Sequence, residues 1–264
     1  MRTAKRAVAI FATIALVCGL SQVGAALAIN ENGTPNTNDQ KLQAELTKSL
    51  DKDHLKNVKV AVNSGIVTLT GVVDLYAYKA DAEKRAHRIK DALAVRNNLS
   101  VGGAHVSDED LQQKLVRKLE YDRVGYGTTT FNAIGVKVLD GVVTLVGHAY
   151  GPADKDSAIS VASYTPGVQD VVDEIAVDPV SSMDDDIRIA VARAVYGQAS
   201  LNRYAINPAR PIRVSVQHGH VTLFGVVDSA ADRDLAYLKA NSVPGVFTVT
   251  NQLQLADAVS EIDR

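Results

Sequence analysis

The sequence predicts an α+β protein: three tandem small two-layer modules, each ordered α-β-β-α-β, with a three-stranded mixed sheet covered on one face by two helices. Three observations carry this. First, a heptapeptide recurs. Gly65-Ile66-Val67-Thr68-Leu69-Thr70-Gly71 returns as Gly141-Val142-Val143-Thr144-Leu145-Val146-Gly147 and as Gly219-His220-Val221-Thr222-Leu223-Phe224-Gly225, at offsets of 76 and 78 residues. Second, the hydrophobic period around each copy switches from helix to strand and back. Third, the composition is that of an ordinary folded chain: 264 residues, 46% hydrophobic and 22% charged, with 18 Gly and 7 Pro. That excludes collagen, low-complexity tails and disordered acidic chains. Aromatics stand at 5% with no Trp, which argues against a large aromatic-lined ligand cavity.

The first 28 residues stand apart. Arg2, Lys5 and Arg6 form a basic start, Ala7 to Leu20 is an uncharged apolar run, and Ala26-Leu27-Ala28 gives the small-x-small pattern of a signal-peptidase site. The expectation is a secretory signal peptide over 1–28, cleaved after Ala28. The alternative is an uncleaved anchor, for which the 14-residue run is short of the roughly 20 that a span needs. Cys18 is the single cysteine, and Val17 before it is not the small residue of a lipoprotein box. Cleavage would leave a cysteine-free chain, suited to an oxidising compartment. It would also leave 25 Lys and Arg against 30 Asp and Glu, a net charge of −5. A basic stripe of the kind that nucleic acid requires is missing.

Residues 29–38 are polar and read as a flexible leader. Module 1 (39–103) opens with an amphipathic helix, Leu42, Leu46 and Leu50 sharing a face. Strand alternation then sets Val60, Val62, Val67 and Leu69 toward a core, with Lys59, Ala61, Thr68 and Thr70 on the other face. A second helix starts near Tyr76 with the stripe Ala82, Ala86, Ile89 and Leu93, and a strand of Val95, Asn97, Leu99 and Val101 ends the unit. Module 2 (108–178) repeats the order with Leu111, Leu115 and Leu119. Module 3 (183–256) opens with a helix over Asp184 to Ala194, acidic in its first turn. Pro166-Gly167 and Pro244-Gly245 stop the second helix in copies two and three, where copy one has Lys90-Asp91. Gly102-Gly103-Ala104 and Pro179-Val180-Ser181-Ser182 link the modules, and 257–264 is a tail. The crossover from second strand to third is expected to be right-handed and parallel.

A Gly-x-Val-x-Leu-x-Gly strand after an amphipathic helix, followed by a second helix and an ending such as Gly167-Val168 or Gly245-Val246, resembles the BON (bacterial OsmY and nodulation) domain. The resemblance covers 39–256. It implies export to the periplasm, a role in envelope integrity or osmotic stress, and either phospholipid association or a chaperone-like hold on client proteins. It implies no catalytic site. Copy one departs from the pattern by lacking the Pro-Gly.

The motif glycines lie inside a strand pattern, which is the wrong context for a phosphate loop. The first of each pair reads as a hairpin turn, the second as a strand end. His218 and His220 form the best metal candidate, set against a solvated hairpin tip. His54, His87, His105 and His148 lack ligand spacing. No nucleophile elbow, zincin motif or catalytic cysteine occurs, so neither an enzyme nor a cofactor is expected. Two insertions differ among the copies: Tyr121 to Thr128, and Gly197 to Pro211 with Arg203, Tyr204, Arg210 and, just after it, Arg213. Arg grips phosphate bidentately and Tyr has an apolar body, so these four are the candidate contacts to anionic phospholipid headgroups. The alternative is that the insertions are ordinary loops packing between modules. Peripheral attachment would be multivalent, and periplasmic clients are the rival partner class.

Overall fold

Each motif begins in a two-residue turn. Ser64-Gly65, Asp140-Gly141 and His218-Gly219 have positive φ at both positions, 51° and then 76°, 74° and 77°. That is type I′ geometry, whose twist matches the flanking antiparallel strands, and glycine adopts it without steric cost. An aspartate in the first turn of the preceding helix fixes each turn. Asp39 accepts the backbone N–H groups of Ser64 and Gly65 at 2.8 and 2.9 Å. Asp108 takes those of Asp140 and Gly141 at 2.7 and 2.8 Å, and Asp184 those of His218 and Gly219 at 2.9 and 2.8 Å. Each carboxylate therefore acts twice, beside the positive end of a helix dipole and as acceptor for two amides that the hairpin leaves unpaired.

The computed structural model describes residues 36–104, 106–124, 127–207 and 210–256. The expected signal peptide and its cleavage site, most of the leader, His105 and the tail lie outside the described residues. Module 1 runs α1 (Thr37–Ser49), β1 (Lys59–Asn63), β2 (Ile66–Val73), α2 (Tyr76–Arg88) and β3 (Ala94–Val101). Module 2 runs α3 (Asp108–Tyr121), β4 (Ala133–Leu139), β5 (Val142–Ala149), α4 (Pro152–Ser163) and β6 (Asp170–Val177). Module 3 runs α5 (Ser182–Tyr196), a short α6 (Arg203–Ile206), β7 (Arg213–Gln217), β8 (His220–Val227), α7 (Ala230–Asn241) and β9 (Thr248–Leu255). The motif strand is central in every sheet, antiparallel to the first strand and parallel to the third. α1 begins inside the expected leader because the Asn36 side chain caps it, accepting from the Asn38 N–H at 3.0 Å.

Helices and sheet share one core per module. Leu46, Val67, Leu69, Ala82 and Ala86 are fully buried together, and Leu115, Val143, Leu145, Ala158 and Ala162 repeat them in module 2. Each buried leucine contributes about 1.5–3 kcal/mol of transfer free energy. The small alanines let the second helix lie close to the strands.

Two local expectations change. The second motif glycine sits within the strand, not at its end. A Cβ on Gly71 would stand 2.2 Å from the Asn57 carbonyl oxygen, and one on Gly147 2.0 Å from that of Ala133. The chain entering the first strand crosses directly over it. The α2 stripe also stops early: the helix ends at Arg88, and Leu93 is 78% exposed, lying over the Gly65 turn. Asp91 takes positive φ (71°) where copies two and three use Gly167 and Gly245.

The two junctions differ. Between modules 1 and 2, Tyr76 packs against both cores, its hydroxyl meeting Asp170 and the Val171 backbone, and Tyr78 meets Tyr164 edge-on at 6.4 Å. Between modules 2 and 3 a buried polar cluster forms around Asp178. Its carboxylate accepts from Ser215 Oγ (3.0 and 2.9 Å) and Gln217 Nε2 (3.0 Å), and stands 3.5 Å from Arg188 Nη2. Arg188, 1% exposed, also donates to the Val216 carbonyl, pairs with Asp185, and lies over the Tyr150 ring at 4.9 Å. Phe131 of module 2 packs into the module 3 core, and His148 faces Phe224 at 5.8 Å.

Candidate binding surface

Both insertions are held by a buried carboxylate at the start of the second helix. In module 2, Asp154 accepts from Arg123 Nε (3.1 Å), Thr128 Oγ1 (2.7 Å) and Asn132 Nδ2 (3.0 Å). In module 3 the homologous Asp232 accepts from Arg203 Nη2 at 2.5 Å, Tyr204 Oη at 3.1 Å and Ser229 Oγ at 2.8 Å. Module 1 has Tyr78 at this position and no insertion, only a short turn carrying Leu55 into its core. In modules 2 and 3 one carboxylate thus satisfies an arginine and two further donors, compensating the desolvation of the acid.

Two of the four candidate headgroup contacts, Arg203 and Tyr204, meet at this carboxylate. Arg203 pairs with Asp232 and with Asp228 at 3.2 Å, and its guanidinium lies over its neighbour's ring. Tyr204 is 3% exposed, with its hydroxyl accepting from the Asp228 N–H at 2.8 Å. Burial, with Asp232 adding to it, pushes that phenol above its usual pKa range, although the Asp228 and Arg203 donors act the other way. Arg213 lies at the second junction, where burial lowers its pKa and Glu120 opposes that shift. Arg210 is exposed on the same segment. The structure therefore joins the buried Tyr204 and the half-exposed Arg203 at Asp232, places Arg213 between modules, and leaves Arg210 exposed.

The histidine pair is equally local. His218 serves the turn through its backbone, and His220 Nδ1 meets Thr248 Oγ1 at 2.7 Å. Among the described residues no group of three His, Cys, Asp or Glu is placed to hold a metal ion. No helix among them is long and apolar enough to cross a membrane.

Exposed apolar side chains stand at the same place on modules 1 and 3, Leu93 at 78% and Phe247 at 71%, and only the first is flanked by a run of basic residues. Leu93 rises over the turn glycine, as Gln169 and Phe247 do over Gly141 and Gly219. Flanking Leu93 in the sequence are the exposed Arg88, Lys90 and Arg96. Two signals pointed there. One was the missing Pro-Gly, which put Lys90 where the other copies have proline. The other is charge per module: eleven Lys and Arg against eight Asp and Glu over 39–103, but six against twelve over 108–178. Module 1 also has an open groove between α1 and β1, floored by Leu50, Leu55, Val58 and Val60 and rimmed by Lys48 and Lys56.

The chain is 27% identical over 201 residues to osmotically-inducible protein Y of Escherichia coli strain K12, a match covering 76% of this chain and 98% of that protein. Two solved structures of CdsD, a structural protein of the type III secretion system of Chlamydia trachomatis, are similar at 14% and 13% identity. Each covers 84% of this chain and 97% or 98% of the other, with TM-scores of 0.24 and 0.23, too slight a likeness to build on. The BON domain model matches 38–103, 107–179 and 190–257, and the chain accordingly belongs to the BON-domain family, with three copies in tandem.

Proposed function

We propose that this chain is a non-enzymatic periplasmic protein that supports the cell envelope under osmotic stress by attaching peripherally to anionic phospholipid, with module 1 as the attaching module. Family membership and the name of the Escherichia coli relative support the osmotic and envelope setting. The observation that carries the lipid reading is Leu93, 78% exposed within the run of Arg88, Lys90 and Arg96, on the one module rich in basic charge. An apolar side chain among cations suits a headgroup boundary: each cation near an anionic surface contributes about 1 kcal/mol, and the leucine adds apolar burial. The acidic remainder of the chain keeps attachment weak and directs which end meets the surface.

The test is flotation of the chain from Ile29 onward with liposomes, zwitterionic or containing phosphatidylglycerol, at low and moderate salt. Co-flotation is expected only with the anionic lipid, weakening as salt rises. Arg88→Ala/Lys90→Ala/Arg96→Ala should lower partitioning by about 100-fold, while Arg203→Ala/Arg210→Ala leaves it near the parent level. Absence of flotation under every condition would sink the lipid reading and leave client holding in front.

A further inference from the structure

The groove between first helix and first strand is present in all three modules and has three different fates. In module 3 the insertion occupies it, with Leu201 and Tyr204 joining the core beside Ile212, the counterpart of Val58. In module 2 the groove residues Val116, Leu119 and Glu120 line a cleft whose opposite wall is the outer sheet face of module 3, formed by Arg213, Phe224 and Val226. In module 1 the groove is lined by module 1 alone.

Yet the module 1 groove is the module 2 groove in another copy. The leucine stripes align Thr47, Leu50 and Asp51 with Val116, Leu119 and Glu120, and the motif offset aligns Val58 and Val60 with Ile134 and Val136. The closing wall has its counterpart as well. Arg213 and Val226 correspond to Lys59 and Val72, both exposed on the outer face of the module 1 sheet. In the observed junction Arg213 is charge-matched to Glu120. Module 1 keeps both signs, with Asp51 on the groove and Lys59 on the face. The two lie on different surfaces of one module, so a module cannot close its own groove with its own face.

We infer that module 1 of one chain seats against module 1 of a second copy, groove over outer sheet face, as module 2 receives module 3, with Asp51 of one copy facing Lys59 of the other. The inference goes beyond lipid attachment and uses different residues. Groove and face are distinct patches, so the contact is heterologous and leaves one free groove and one free face at the ends of any assembly. It is weak in solution. Phe224 is replaced by Thr70 in module 1, which removes the aromatic anchor that would dominate such an interface. Crowding on a surface would strengthen it by raising effective concentration.

Sedimentation equilibrium of the chain from Ile29 onward, without lipid, tests this. The expected result is an average mass that climbs with concentration between about 10 µM and about 1 mM without levelling at a dimer. Asp51→Lys and Lys59→Asp should each weaken association by about tenfold. The double variant, which restores opposite charges across the contact, should recover most of the loss. Both sites are exposed, so an unchanged circular dichroism spectrum confirms that the variants are folded. Three outcomes overturn the inference: a monomer at every concentration, association indifferent to the charge reversals, or a double variant as weak as the singles. A chain that stays monomeric and uses this groove only for a different protein falls under the first.

Discussion

Between modules 1 and 2 the contact is aromatic and partly wet: Tyr78 edge-on to Tyr164, Tyr76 bridging two cores, helices α2 and α4 side by side. Between modules 2 and 3, a carboxylate and a guanidinium are both out of water, and module 3 turns its outer sheet face toward its neighbour. The motif is the same on both sides of each junction. What differs is the linker and the outer face. Asp178 stands at the end of the second module, immediately before the Pro179 linker, and finds Ser215 and Gln217 on the next sheet. The first linker, Gly102-Gly103-Ala104, has no side chain able to do this. A repeat protein is therefore free to make one junction rigid and another loose without altering the repeat itself.

The largest effect expected from breaking this contrast is at Arg188. Arg188→Ala leaves the Asp178 carboxylate buried, still bonded to Ser215 and Gln217 and facing His148 Nδ1 at 3.3 Å, but without its guanidinium partner. Breaking a buried pair in this way costs about 3–5 kcal/mol. Urea unfolding of the variant should show that loss. Hydrogen exchange should show modules 2 and 3 losing protection together, while α1, β1, β2 and α2 keep theirs. A loss under about 1 kcal/mol would mean that water already reaches the cluster.

Tyr196 sharpens the comparison through pH. Its hydroxyl donates to the Ile212 carbonyl and meets Thr130 of module 2, and burial pushes its pKa up to about 12, against those hydrogen bonds and Arg213. The folded chain thus holds this proton more tightly than the unfolded chain, whose tyrosine titrates near 10. The stabilisation is present in full below pH 10 and is lost as pH rises from 10 through 12, a total of roughly 2–3 kcal/mol. Denaturant midpoints measured from pH 9 to pH 12 should fall for the parent chain, and Tyr196→Phe should flatten that fall. The same slope in both would place the alkaline sensitivity elsewhere.

The repeat, the strand order, the I′ turns and the core leucines were legible because each is written in local period and spacing. The outer face was not. Alternation shows that Ser215, Gln217 and Phe224 point away from their own core, but it cannot show that a second module covers them. The partners of the insertion arginines were illegible for a related reason. Arg is usually a surface residue, and the carboxylates that hold Arg123 and Arg203 lie 31 and 29 residues further along, across a strand pair. Leu93 failed in the opposite direction. Its helical spacing after Ile89 suggested a buried stripe, but the helix ends at Arg88, Ile89 is already extended, and the leucine is left exposed beyond the positive-φ turn at Asp91.

The smallest expected effect lies at the first junction. Tyr164 is 57% exposed, and its ring contact is with Tyr78 across the junction. An edge-on aromatic pair contributes about 0.5–1.5 kcal/mol beyond its burial, and an exposed ring sits at the lower end. Tyr164→Ala should therefore lower global stability by no more than about 1 kcal/mol while loosening the orientation of module 1. Fluorophores placed on modules 1 and 3 of the full chain would report this as a broader distance distribution than in the parent. The same measurement between modules 2 and 3 should not change. If the two distributions broaden together, the helix-to-helix contact is as binding as the buried cluster, and the difference drawn between the junctions fails.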